Sequence, residues 1–266
     1  MTSPARDPAP GPGLVARLRA AGCVFAEEEA ALLLGEAVSP QEREAMVVRR
    51  VAGEPLEAVL GWAELCGLRV RVAPGVFVPR QRSALMVELA VDHLGRPSRQ
   101  ARRPVVLDLG CGTGALGAVV AARVSGVEVW ATDIDPAAVD CARTNLPARG
   151  QVLLGDLFDP LPRDLVFDVI LANAPYVPTT RIADMPPEAR DHEHRVALDG
   201  GEDGLDVQRR VIAQAPDHLV PGGILVVEAG EDQAPIAAGL MRDQGLAAEI
   251  RHDEETYATA VSGTKA

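Results

Sequence analysis

The spacing of apolar positions changes three times along the chain. From Leu14 to about Leu60, apolar residues recur three and four apart in LVARLRAAG, AEEEAALLLGE and REAMVVRRVAG, which predicts a small helical domain. The third helix has a start signal: Ser39 can cap it, Pro40 suits its first position, and Glu42 completes a capping box. Residues 2 to 13, TSPARDPAPGPG, lack periodicity and are rich in Pro and Gly, so 1–13 reads as a disordered tail. After Gly61 the period shortens, and LRVRVAPGVFVPR alternates around Ala73, Pro74 and Gly75 as a hairpin would, giving a linker over 61–80. Ser83 to Leu94 then forms one amphipathic helix. Beyond it the apolar runs VVLDL, VEVWATD, QVLLG, FDVILAN and GGILVVEA are short, and helical stretches separate most of them. This alternation over 81–266 predicts an α/β domain, an open and mostly parallel sheet with helices on both faces. Ligands of such sheets bind at the carboxyl ends of the strands, so the candidate chemistry is sought there.

The loop after the first of these strands is Asp108-Leu-Gly110-Cys111-Gly112-Thr113-Gly114, leading directly into a helix. Glycines allow a sharp turn and close approach of backbone to a ligand. Gly112, Gly114 and Gly117 also spell the G-x-G-x-x-G of dinucleotide sites. Asp108 separates the readings. A carboxylate there repels a pyrophosphate on the helix N-terminus but attracts the ammonium of an amino-acid-tailed cofactor, which points to S-adenosylmethionine. Asp133, ending the second strand about twenty residues on, suits ribose hydroxyls. Asp135 and Pro136 read instead as cap and first residue of the next helix. Asp156, after the third strand, can accept from an adenine amino group, with Leu157 on the ring face.

The fourth strand delivers Asn173-Ala174-Pro175-Tyr176 to the same edge. The proline biases its predecessor toward extended backbone, which exposes carbonyls. The Asn173 side-chain carbonyl and a neighbouring backbone carbonyl can accept both N–H groups of a planar amide or amine, and Tyr176 can cover its plane. Aligning such a nitrogen with an activated methyl is mainly a positioning problem. Phe77 offers a further apolar wall.

Composition narrows the substrate. The 266 residues carry 38 acids against 26 bases, a net charge of −12, which disfavours a polyanionic substrate. One basic stretch, Arg96, Arg99, Arg102 and Arg103, reads as a solvated linker. The chain lacks a membrane-length apolar run, so a cytoplasmic protein is expected. Cys23, Cys66, Cys111 and Cys141 are scattered and read as reduced core thiols. Asp191-His192-Glu193-His194 lacks the spacing of a closed metal site, so no metal is expected.

The segments EPLEAVLGWAEL, GVFVPRQRS, DLGCGTGA, NAPY and LDGGEDGLD occur in this order, and over nearly the whole chain the sequence resembles the glutamine-N5 methyltransferases that modify peptide-chain release factors. The resemblance implies a class I S-adenosylmethionine-dependent methyltransferase domain of Rossmann-like type with a seven-stranded sheet. It also implies an N-terminal helical domain that recognises substrate, and methylation of a protein glutamine exposed on a partner such as a release factor. Cofactor roles follow for the loop from Gly110 to Gly114, for Asp133 and for Asn173, and the substrate amide is held by Asn173 through Tyr176. The family's Asn-Pro-Pro-Tyr has Ala174 in its second place here. Its PRPET-like stretch reads Pro79-Arg80-Gln81-Arg82-Ser83, and its Glu-Pro pair reads Glu193-His194. Two alternatives stand beside this reading: an N6-adenine methyltransferase acting on DNA or RNA, and a non-catalytic cofactor-binding module.

Overall fold

A computed structural model describes residues 12–96, 102–148 and 150–266. The chain opens with four helices, α1 (Pro12–Ala20), α2 (Ala26–Glu36), α3 (Pro40–Val51) and α4 (Leu56–Leu60). Residues 1–11 of the expected tail lie outside the described residues, and the helix starts two residues before the expected boundary, at Pro12. Ser39 caps α3, its Oγ accepting from the Glu42 N–H, while the Glu42 carboxylate accepts from the Val38 N–H. Leu18, Ala26, Ala30, Leu33 and Val47 form a closed apolar cluster between these helices.

The hairpin forms earlier than the alternation implies. Its strands are β1 (Trp62–Leu65) and β2 (Leu68–Arg71), paired antiparallel with Leu65 opposite Leu68. The turn is Cys66-Gly67, not the Ala73–Gly75 segment, and both turn residues have positive φ, 52° and 80°. A two-residue turn of this kind matches the twist of the strands, and a cysteine at its first position gives little warning of it. Residues 73–80 run on, with the Gly75 carbonyl accepting from the His194 N–H. Asn145 secures the hairpin: its Oδ1 accepts from the Arg71 N–H at 2.7 Å, and its Nδ2 donates to the carbonyls of Arg71 and Thr113 at 2.9 and 2.8 Å.

After α5 (Ala84–Leu94), the α/β region runs β3 (Val105–Leu109), α6 (Ala115–Arg123), β4 (Glu128–Asp133), α7 (Pro136–Asn145), β5 (Gln151–Leu154) and β6 (Phe167–Ala172). It continues with α8 (Pro187–His192), α9 (Asp206–His218), β7 (Leu219–Glu228), α10 (Ala234–Asp243), β8 (Leu246–Asp253) and β9 (Ala258–Lys265). The seven strands lie in the order β5-β4-β3-β6-β7-β9-β8. The first five pair in parallel, and β9 inserts antiparallel between β7 and β8. Strand β6 is buried along its length and feeds both faces. Val169 and Leu171 join the core under α5 and α6, whereas Ile170 and Ala172 join the core under α9 and α10.

The chain leaves β3 toward β4 and β5, then returns to the other side of β3 as β6. The topological switch point therefore lies between β3 and β6, where a crevice opens at the strand ends. Of the basic stretch, Arg99 lies outside the described residues, while Arg102 donates to Asp168 of β6 at 2.8 Å. Among the described residues no helix is long and apolar enough to cross a membrane.

Candidate functional site

A cleft of about 180 Å³ lies over the switch point. The ends of β3, β4 and β6, the loop after β5 and the 75–83 segment build it. Of the residues singled out from sequence, Phe77, Asp108, Gly110, Cys111, Gly112, Thr113, Asp133, Asp156, Leu157, Asn173, Ala174 and Pro175 all line it. Gly114 and Tyr176 do not. Gly114 is the N-cap of α6 at φ 74°, and a Cβ there would stand 3.0 Å from Ala142 Cβ. It sets how closely α6 packs on α7 rather than touching the cleft. Tyr176 faces a second, neighbouring cleft with Arg82 and Glu228.

Asp108 is 1% exposed, and its Oδ2 accepts from the Gly117 N–H in α6 at 2.8 Å. Burial pushes its carboxyl up to about 7; the Gly117 N–H opposes that rise and the nearby Asp133 adds to it. Asp133 is also raised, chiefly by burial, although its carboxylate accepts from the backbone N–H groups of Gly112 and Asp135 at 2.8 and 2.9 Å. It thereby shapes the glycine loop as well as facing the cleft. Asp135 caps α7, as its sequence context predicts, accepting from the Ala137 N–H at 2.9 Å. Its other oxygen pairs with His194 Nδ1.

Asp156 is half-exposed, and its Oδ2 accepts from Arg210 at 2.7 Å. Leu157 beside it holds φ 49°, a strained value for a γ-branched residue, at a position that lines the cleft. Burial raises the Cys111 thiol well above its ordinary range, which removes it as a nucleophile. Among the described residues no group of His, Cys, Asp and Glu is arranged to hold a metal ion.

Asn173 follows the end of β6. Its Nδ2 donates to Ser83 Oγ at 3.1 Å, and Ser83 Oγ donates to Glu228 Oε2 at 2.6 Å. Glu228, 2% exposed at the end of β7, also accepts from Arg82 Nε at 2.8 Å and from the Tyr176 hydroxyl at 2.9 Å. Burial raises the Tyr176 phenol, with Glu228 adding to the effect, so the hydroxyl is a donor and not a base. Sequence reasoning missed Arg82, Ser83 and Glu228. Glu228 carries the same mark as Asp108 and Asp133, an acid at a strand's carboxyl end, and that rule could have found it.

The family model "Methyltransferase small domain" matches residues 67–185. A release factor glutamine methyltransferase of Geobacter sulfurreducens is 38% identical over 215 residues, 79% of this chain and 73% of the relative. One of Deinococcus radiodurans is 37% identical over 259 residues, 90% and 91% of the two chains. Among solved structures, a Pyrococcus furiosus methyltransferase superposes with a TM-score of 0.54 at 18% identity, covering 85% of this chain and 98% of that one. A T. thermophilus 16S rRNA methyltransferase in complex with AdoMet and guanosine gives a TM-score of 0.55 at 23% identity, covering 77% and 50%. These two likenesses show a shared fold.

Proposed function

The chain belongs to the release factor glutamine methyltransferases, and on that premise we propose that it uses S-adenosylmethionine to methylate the side-chain amide nitrogen of a glutamine in a peptide-chain release factor. The observation that carries the reading is Asn173. Its side-chain N–H2 is engaged by Ser83, which leaves its carbonyl oxygen to accept from a substrate amide at the lip of a cleft lined by the buried Asp108 and the partly buried Asp133 and Asp156.

The cleft fits the cofactor chemically. Asp108 is a buried carboxylate whose raised proton affinity a ligand ammonium relieves, and Asp133 stands at the next strand end for hydroxyl groups. Gly112 brings the loop backbone close to Phe77 without a side chain to fill the space. The bound cofactor supplies a sulfonium-activated methyl group. The residues then do three things. Asp108, Asp133 and the Gly110–Gly114 loop bind and orient the ligand. Asn173 and the backbone after it hold the substrate amide by its N–H groups, so that its lone pair meets the methyl in line. Apolar Phe77, Leu157 and Pro175 exclude water. Held this way by Asn173 and the backbone after it, the amide nitrogen would take the methyl that the bound cofactor supplies, and one amide proton would pass to solvent. Positioning of this kind supplies a large share of such a barrier without a strong base.

The charge around the cleft supports a protein substrate over nucleic acid. Arg210, which lines the cleft, donates to Asp156, while Arg80 and Arg82 on the adjoining 75–83 segment donate to Glu193 and Glu228, so each of these three arginines is already paired with a carboxylate. Phosphate binding draws on arginines available to release counterions. The test is to incubate the protein with labelled cofactor and a release factor of the same organism, then map the methyl by peptide mass spectrometry. One methylated glutamine is expected. Methyl groups found in nucleic acid and absent from the release factor refute the reading.

A further inference from the structure

We propose that Glu228 is a positioning residue that, through Ser83, fixes which end of the Asn173 side-chain amide faces the substrate. The inference rests on the functional reading above and extends it to residues outside the cofactor loop.

Hydrogen-bond direction fixes the arrangement. A carboxylate only accepts, so the single Ser83 hydroxyl proton, 2.6 Å from Glu228 Oε2, must point to Glu228. Ser83 Oγ can then only accept from its other neighbour. The Asn173 group 3.1 Å away is therefore the N–H2, and Oδ1 is turned the opposite way. Because a substrate amide presents N–H groups, it needs that oxygen. A flipped Asn173 would set N–H2 against N–H2 and leave donors unpaired, at a cost of the order that removes a catalytic hydrogen bond.

The relay is well built to hold one direction. Ser83 is 2% and Glu228 2% exposed, so water does not readily exchange with either partner. Two further donors, Arg82 Nε and the Tyr176 hydroxyl, converge on Glu228 Oε1 and leave Oε2 to the serine. The Glu228 backbone is tied as well, its carbonyl accepting from Gln208 Nε2 at 2.6 Å. Three sequence-distant segments thus meet at one carboxylate: the start of α5, the end of β6 and the end of β7.

The decisive substitution is Glu228→Gln, which keeps shape and burial. Its amide can donate to Ser83, which frees the serine proton to donate to Asn173 and reverses the relay. Ser83→Ala removes the relay without reversing it, and Ser83→Thr keeps the hydroxyl. Four quantities are measured for each: kcat and KM on the release factor, cofactor affinity by calorimetry, and the Asn173 side-chain N–H2 signal in a 15N-labelled sample, assigned by its loss in Asn173→Asp. Glu228→Gln is expected to lower kcat about ten- to a hundredfold, the scale of a hydrogen bond to a charged group. It should act more severely than Ser83→Ala, with cofactor affinity within about twofold of wild type and the Asn173 signal displaced. Ser83→Thr should retain wild-type kcat within about threefold, since the direction is kept. A Glu228→Gln enzyme that methylates the same glutamine at wild-type kcat overturns the relay. If wild type methylates no glutamine yet the Asn173 signal still moves in Glu228→Gln, the substrate reading falls and the relay stands.

Discussion

Asp108 offers the sharpest quantitative test of the cofactor assignment, because its burial affects stability and binding in opposite senses. Its carboxyl lies at about 7 in the free protein against an ordinary 3.8. A raised carboxyl favours the protonated folded state, so the associated stability is fully present below about pH 4 and is lost as pH rises through about 7. At about pH 8 the free protein therefore carries the whole cost of a buried carboxylate. The difference between 3.8 and about 7 bounds that cost at about 4 kcal/mol. Asp108→Asn removes the charge but buries a new N–H2, which costs about 1–3 kcal/mol, leaving a net gain on the order of 1–3 kcal/mol in urea unfolding at that pH. The same substitution deletes the partner of the ligand ammonium and should weaken cofactor binding by about ten- to a hundredfold, the scale of a lost charge-assisted hydrogen bond. In wild type, calorimetric affinity should be highest between about pH 7 and 8; below it should fall by up to tenfold per pH unit because binding must expel a proton from Asp108, and above about pH 8 it should fall as the ligand ammonium loses its own. An Asp108→Asn protein that binds the cofactor as tightly as wild type refutes the role, and so does a wild-type affinity that stays level down to about pH 5.

Three further substitutions probe the scaffold. Arg50, 6% exposed in α3, donates to Glu29 at 2.6 Å and pairs with Glu188 of α8 at 2.6 Å. Arg50→Met leaves Glu29 buried without its cation and should cost about 3–5 kcal/mol in denaturant unfolding, whereas Glu188→Gln, at the exposed end of the triad, should cost at most about 1 kcal/mol. Gly114→Ala forces a Cβ onto Ala142 at φ 74°; it should cost about 1–2 kcal/mol and weaken cofactor affinity by displacing the N-terminus of α6. Calorimetry and thermal unfolding on the one variant read both effects.

Where function is local in sequence, it was legible. The glycine loop, Asp133, Asp156 and the Asn173 turn each follow an apolar strand, and parallel topology sends those ends to one edge. The hairpin turn was not legible, because Cys66 adopts a positive φ that its side chain does not announce, while the alternation across Val70 to Val78 continues past the real strand. The last two strands, β9 and the edge strand β8, carry no clear mark either. Their residues alternate weakly, as LAAEIRHD and ATAVSGTK, and it is the pairing of β9 with β7 on one side and with β8 on the other that makes them strands. The Tyr176 plane was assigned to the reacting amide from its neighbours in sequence, yet the side chain turns toward Glu228, 52 positions away. Such contacts have no periodic signature.

The departures from the family pattern acquire a physical sense once these long-range contacts are drawn. Arg82 replaces the acid of the PRPET-like stretch, and it pairs with Glu228 while its guanidinium lies 5.7 Å from the centre of the Tyr176 ring. His194 replaces a proline, and its N–H and ring tie the Gly75 carbonyl and Asp135 together across the cleft. Glu193 beside it is 6% exposed and accepts from Arg80 and from the Val78 N–H. Ala174 is 4% exposed and lines the cleft, so the proline it replaces would have added ring atoms to a packed wall. These three changes, at Arg82, Ala174 and His194, fall on the segments 73–83, 173–176 and 193–199, and two of them, Arg82 and His194, contribute polar ties there. None falls on the β3–α6 loop or the end of β4. Variation concentrated in mutually contacting loops, with the acids and glycines of the cofactor cleft kept, is what a fixed transfer chemistry beneath an altered substrate entrance requires.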